Sequence, residues 1–141
     1  MLIYALDTQE IPKSDRARGV IAALSATGAG FVSTQVLAEF MDVVVRRPRF
    51  EASREWAAER VEEFSQNLAV VSVDEEVLML AVAASVHRRW RFYDAQIWAA
   101  AFVNGIPLVL SEDFGEREPL DGVTFLDPFT EGFTLEMLET L

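Results

Sequence analysis

The chain has 141 residues, 51% of them hydrophobic, and a formal net charge of −11. It is long enough for one domain with a real core, too apolar to be disordered, and without an apolar run of the ~18 residues that span a bilayer. The acidic balance argues against a passive nucleic-acid binder, whose affinity comes largely from neutralising phosphates.

Leu2 to Leu6 is an apolar run that fits either a short strand or one turn of helix, because periodicity cannot decide over so few residues. It has no basic flank and no small-residue cleavage site, so a signal peptide is not expected. Pro12 opens a helix with Ala17, Val20, Ile21 and Leu24 on its apolar side, and Thr27-Gly28-Ala29-Gly30 stops it. Phe31 and Val32 read as a brief strand. Ser33 or Thr34 caps the next helix, whose stripe is Val36, Leu37, Phe40, Val43 and Val44, and Arg46-Arg47-Pro48-Arg49 ends it. A further helix is predicted from about Glu51 to Phe64, with Trp56, Ala57, Arg60, Val61 and Phe64 along one side.

Leu68 to Val73 is rich in β-branched residues and reads as a strand. Asp74 caps a helix that runs to about His87. Arg88 to Phe92 links to another helix opened by Asp94 and closed by Asn104-Gly105. Pro107 to Leu110 and Val123 to Leu126 are strands, and Leu135 and Leu138 mark a short terminal helix. Strands separated by helices predict an α/β fold, a parallel β-sheet flanked by α-helices, in a single domain over residues 1–141. In such sheets the functional crevice lies beyond the carboxyl ends of the strands.

Asp113, directly after a strand, falls at that edge, and Asp94 at a helix start and Glu39 just beyond a strand can face it, which makes three carboxylates. Each adjoins an apolar segment, and a carboxylate is costly to hold near a core without a partner. Converging, they would repel one another unless a cation sat between them, and oxygen-only ligands favour Mg²⁺ or Mn²⁺. The chemistry expected is metal-assisted cleavage of a phosphodiester. By helical spacing Asp42 is the surface residue and Glu39 the ligand, while Glu112 is expected to be more exposed than Asp113. Ser111 could orient a phosphate or a water, but it has no histidine partner for nucleophilic work. The single histidine, His87, sits among arginines at a helix end, and no phosphate-cradling glycine motif is present. Cysteine is absent, which removes disulfides and thiolate zinc sites and fits a reducing cytoplasm. Six of the twelve Lys and Arg residues are Arg46, Arg47, Arg49, Arg88, Arg89 and Arg91. They form either two solvated helix ends or two local patches for phosphates on an acidic body.

Taken together, Leu2-Ile3-Tyr4-Ala5-Leu6-Asp7, Ser33-Thr34-Gln35-Val36-Leu37-Ala38-Glu39-Phe40, Tyr93-Asp94-Ala95-Gln96-Ile97 and Leu110-Ser111-Glu112-Asp113 resemble the PIN domain, and within it the VapC-type toxins of toxin–antitoxin pairs. Asp121-Gly122-Val123 and Asp127-Pro128-Phe129 look like that family's last strand and its exit. The resemblance implies a Mg²⁺- or Mn²⁺-dependent ribonuclease acting on RNA, a cognate antitoxin, often a homodimer, and no membrane association. It makes Glu39, Asp94 and Asp113 the metal-binding and catalytic carboxylates, with Ser111, Arg88, Arg89 and Arg91 as RNA contacts.

The family motif starts with an aspartate at the end of the first strand, as Asp-x-Asn or Asp-x-Ser, and this sequence departs there. In one register Leu2 to Leu6 follows that aspartate, and the central strand and first ligand are missing. In the other, Leu2 to Leu6 is the strand and Asp7-Thr8-Gln9 stands in the motif's place, adding Asp7 to the metal ligands. The departure also admits a degenerate member that no longer cleaves and serves as a binding module.

Overall fold

A computed structural model describes residues 1–7, 9–50, 52–114 and 118–138, with only the backbone of Arg49. The chain divides into two compact units, one formed by Met1–Val70 with the described residues from Glu131 on, the other by Val71–Thr130.

The first unit opens with a 3-10 turn at Tyr4–Leu6. Leu2 to Leu6 is therefore helical and not a strand. The turn closes through Leu6 N–H to Ile3 O at 3.2 Å and Asp7 N–H to Tyr4 O at 3.0 Å. Residues three apart eclipse in a 3-10 turn, which puts Leu2 and Ala5 on one buried side. Helix α1, Ile11–Thr27, has Pro12 in its first turn and ends at Gly28, whose φ of 68° is the left-handed conformation glycine adopts freely. Strand β1, Phe31–Ser33, leads directly into α2, Thr34–Arg46. The Ser33 side chain caps α2 by accepting from Val36 N–H at 3.2 Å.

Helix α3 is Arg54–Asn67, later at both ends than the sequence predicts. Its cap is Ser53, which accepts from Trp56 N–H at 3.1 Å, while the expected start at Glu51 lies outside the described residues. The core of the unit is built by Val32, Leu37, Phe40, Val44, Ala57, Phe64 and Leu68. Phe40 and Phe64 meet edge to face with centroids 5.3 Å apart, a favoured aromatic geometry. Strand β2, Ala69–Val71, pairs with β1, and Ala69 N–H donates to Gly30 O at 2.9 Å. A 3-10 turn at Leu135–Leu138 packs on α1, and Arg16 Nη1 donates to Phe133 O at 2.9 Å.

The second unit holds α4, Glu75–Arg88, α5, Phe92–Val103, and the strands β3, Leu108–Leu110, and β4, Thr124–Leu126. Asp74 caps α4 through Val77 N–H at 3.0 Å, as its position in the sequence predicts. Strands β3 and β4 are parallel, with Leu108 opposite Thr124 and Leu110 opposite Leu126. Parallel strands need a long crossover, and residues 111–123 supply one. It ends in a tight turn where Asp121 and Gly122 both have positive φ, 50° and 84°. Leu120 and Val123 exchange two backbone hydrogen bonds of 2.9 Å across that turn, the type I′ arrangement that Asp-Gly favours.

Trp90, Trp98, Phe114 and Phe125 fill the space between α5 and the strands, with Phe114 stacked on Phe125 at 4.6 Å. The fold is thus α/β with parallel strands flanked by helices. Among the described residues the four strands form two pairs rather than one continuous sheet. Leu2 to Leu6, the segment that could have added a further strand, takes helical backbone.

Candidate functional site

Asp94 is the one member of the acidic trio that is buried, at 9% exposure. It does not open its helix, as the sequence predicts. Helix α5 begins at Phe92 with Arg91 as its backbone cap, which puts Asp94 at the third helical position. The free N–H groups and the dipole of a helix start favour a negative charge there. Two residues on, Gln96 is also buried at 7%, so the start of α5 carries polar side chains into an otherwise apolar unit. Gln96 is a second buried polar side chain on α5 that the apolar pattern of the helix conceals.

Asp113 lies in the turn that follows β3. Ser111 N–H donates to Leu126 O at 3.0 Å, tying the end of β3 to the end of β4. The Ser111 hydroxyl oxygen accepts from Asp113 N–H at 3.2 Å. Ser111 thus shapes the turn carrying Asp113, a local role typical of serine. Asp113 itself is exposed and Glu112 is half-buried. That reverses the expected order, because the Ser111–Asp113 hydrogen bond fixes the turn in a way that spacing does not reveal.

The basic residues Arg88, Arg89 and Arg91 form the α4–α5 connection and are all exposed, as is His87. Arg89 caps α4 in the left-handed conformation with φ 56°. Of the three aromatics before Asp94, Trp90 belongs to the core and Phe92 is half-buried, but Tyr93 is 61% exposed. Arg91 and Tyr93 therefore place an exposed cation and an exposed ring within three residues of Asp94.

Glu39 and Asp7 belong to the first unit. Glu39 lies on α2, exposed rather than at the core boundary, and its Oε1 accepts from Gln35 Nε2 at 2.8 Å. Its companion is thus a glutamine one helical turn earlier. The i,i+4 spacing of Gln35 and Glu39 is the signal that could have found the pair. Asp42 is a surface residue as predicted, ion-paired with Arg46 at 2.6 Å.

Asp7 is 2% exposed and its Oδ1 accepts from Gln9 N–H at 3.0 Å. It follows a 3-10 turn and not a strand, so the register that set it at a strand end does not match this backbone; Thr8 of the Asp7-Thr8-Gln9 triplet lies outside the described residues. Nearby, the buried Ser14 hydroxyl donates to Ala5 O at 3.3 Å and accepts from Arg18 Nη2 at 2.6 Å, a polar junction that the sequence pattern does not show.

Asp94 and Asp113 offer hard oxygen donors, the type that Mg²⁺ and Mn²⁺ prefer. Among the described residues, no group of three or more His, Asp or Glu side chains is gathered as a metal site requires. The donor chemistry therefore fits a divalent ion in kind, while no complete ligand set is assembled among the described residues.

Helix-flanked parallel strands, with a buried carboxylate at a helix start and acidic residues just beyond a strand, define an α/β domain. The profile of the PIN domain family matches residues 1–117. The chain belongs to the PIN domain family, whose members are in general metal-dependent nucleases that typically use divalent ions. No curated protein matches the chain in a sequence comparison. Among the described residues no helix is long and apolar enough to cross a membrane.

Proposed function

We propose that the protein is an endoribonuclease of the VapC type, the toxin of a toxin–antitoxin pair, acting on RNA with Mg²⁺ or Mn²⁺. The observation that carries the reading is Asp94: a carboxylate buried at the start of α5 in a chain that belongs to a nuclease family. Asp94 would hold the ion directly, with Glu39 and Asp113 as its companions. A bound divalent ion lowers the pKa of a coordinated water and offsets charge on the scissile phosphate.

The remaining work falls to side chains of the chain itself. Arg88, Arg89 and Arg91 would neutralise phosphates that an acidic body otherwise repels. Tyr93 offers an exposed ring on which an unstacked base can lie, the usual way single-stranded RNA is held. Ser111 keeps the Asp113 turn in shape through the hydrogen bond described above. A cognate antitoxin is the expected protein partner. A basic side chain from it, entering the acidic edge, would compete with the ion. Residues 1–141 act as a single domain in this reading, in the cytoplasm.

The test is Mg²⁺-dependent cleavage of single-stranded RNA by the intact chain and by Asp94→Asn. Even residues that only orient metal ligands cost 10–100-fold when removed, so loss of a direct ligand should cost about 100-fold or more. Wild-type cleavage should stop on chelation of the metal. Undiminished cleavage by Asp94→Asn removes Asp94 from the mechanism.

A second reading keeps the fold and drops the chemistry: a non-catalytic PIN-like module held by its partner. Two observations favour it. Asp7 is not at a strand end, and no three-carboxylate group is gathered among the described residues. A folded protein that neither cleaves RNA nor binds Mn²⁺ would support this module.

A further inference from the structure

Gln35 is the second residue of α2, one helical turn before Glu39. At about 100° per residue, Gln35, Glu39, Asp42 and Arg46 fall on one ridge of that helix, opposite the buried Leu37, Phe40 and Val44. The two acids on the ridge have different partners. Asp42 is matched by a charge, with Arg46 Nη2 at 2.6 Å. Glu39 receives a neutral donor, the Gln35 amide, whose Nε2 lies 2.8 Å from Glu39 Oε1.

Gln35 makes that bond at the expense of its own carbonyl. Gln35 Oε1 is buried and has no hydrogen-bond partner among the described residues. Turning the amide over would not relieve this, because Oε1 would then face a carboxylate oxygen, and neither of them carries a proton to share. A buried acceptor left without a donor costs more than an i,i+4 side-chain pair contributes to a helix. The helix start does not need Gln35 either, since Ser33 already caps it through Val36 N–H. Gln35 is therefore less stabilising here than an apolar side chain of the same length, and its use lies in what it does to Glu39.

We propose that Gln35 is a positioning residue for the ion site: its amide N–H holds the Glu39 carboxylate in one orientation and leaves Oε2 to a divalent cation. The inference rests on the reading above, in which Glu39 is a companion of the ion. A glutamate at an exposed helix position samples several rotamers, and that freedom is lost when it takes hold of a cation. A hydrogen bond to one of its oxygens removes part of the freedom in advance. Carboxylates that hold metals are themselves hydrogen-bonded for this reason. The neutrality of the donor matters as well as its place. A lysine or arginine at position 35 would also hold Glu39, but it would offset the charge that attracts the cation and repel the cation directly. The amide holds the carboxylate and leaves its charge intact.

The test combines Mn²⁺ calorimetry with thermal melts in chelator, on the full chain. The proteins are the wild type, Gln35→Met, Gln35→Lys, Glu39→Gln, and a double variant carrying Gln35→Met with Glu39→Gln. Methionine is unbranched like glutamine, suits a helix and has no amide. Gln35→Met should melt no lower than the wild type, because the buried carbonyl is gone. It should nevertheless bind Mn²⁺ about tenfold or more weakly, the cost of removing a group that orients a metal ligand. Gln35→Lys should also bind Mn²⁺ more weakly, although it restores a donor. Within Glu39→Gln, the added Gln35→Met should change Mn²⁺ affinity no further, since its effect passes through Glu39.

A lowered melt in Gln35→Met, wild-type Mn²⁺ affinity in Gln35→Met or Gln35→Lys, or a further full loss in the double variant would overturn the proposal. Glu39→Gln separates this failure from that of the reading beneath it. If Glu39→Gln weakens Mn²⁺ binding and Gln35→Met does not, Glu39 keeps its place at the ion and only the role of Gln35 falls. If Glu39→Gln leaves Mn²⁺ binding intact, both fall together.

Discussion

Asp94 and Glu39 come from similar surroundings in the chain, each an acid beside an apolar helix, yet the structure treats them differently. Asp94 is at the third position of α5, where burial and the helix start act on it together. Glu39 sits a turn further into α2, in water, paired with Gln35. Substitution should reflect this. Asp94→Asn should lower cleavage by about 100-fold or more, and Glu39→Gln, at an exposed position, should leave the melting temperature unchanged while weakening the ion.

Gly30 gives a prediction of a purely structural kind. A Cβ there would stand 2.5 Å from Leu68 Cδ2 and 2.9 Å from Leu24 Cβ. The first contact can yield, because it is the end of a flexible side chain, but the second cannot. Gly30→Ala should destabilise the protein by about 1–3 kcal/mol, the usual cost of overpacking, measured by chemical denaturation. The burial of Asp94 was legible in the sequence because it lies beside an apolar helix. The exposure of Glu39 and Asp113 was not, because it depends on hydrogen bonds, such as Asp113 N–H to the Ser111 hydroxyl, that spacing does not encode.

At the scale of elements, the capped helices were the readable ones. Ser33 and Asp74 stand just before strong apolar patterns and cap them as predicted. Replacing Ser33 or Asp74 with alanine should cost about 1 kcal/mol each, seen as a fall of roughly 3–4 °C in melting temperature for a chain of this size. Helix α3 was placed too early, because its charged outer face blurs the periodicity; Ser53 was the signal that would have corrected it. The α5 start was placed two residues late, since Phe92 and Tyr93 read as a linker while their backbone is already helical. Leu2 to Leu6 could not be read at all. Five apolar residues carry no period, and only the hydrogen bonds back to Met1, Ile3 and Tyr4 select the 3-10 turn.

For the whole molecule, the alternation of strands and helices identified an α/β chain, and the PIN family match agrees with it. What the pattern could not convey was the division into two units and the splitting of the strands into two pairs, which depend on which edges find partners. The functional account depends on a divalent ion held by Asp94, with Asp113 and Glu39 proposed as its companions. Mn²⁺ titration followed by calorimetry, on the wild type and on Asp94→Asn, Glu39→Gln and Asp113→Asn, tests that dependence most directly. The account predicts saturable Mn²⁺ binding by the wild type, its loss in Asp94→Asn, and weaker binding in each of the other two variants. Binding that is absent from the folded wild type, or that is indifferent to all three substitutions, would contradict it.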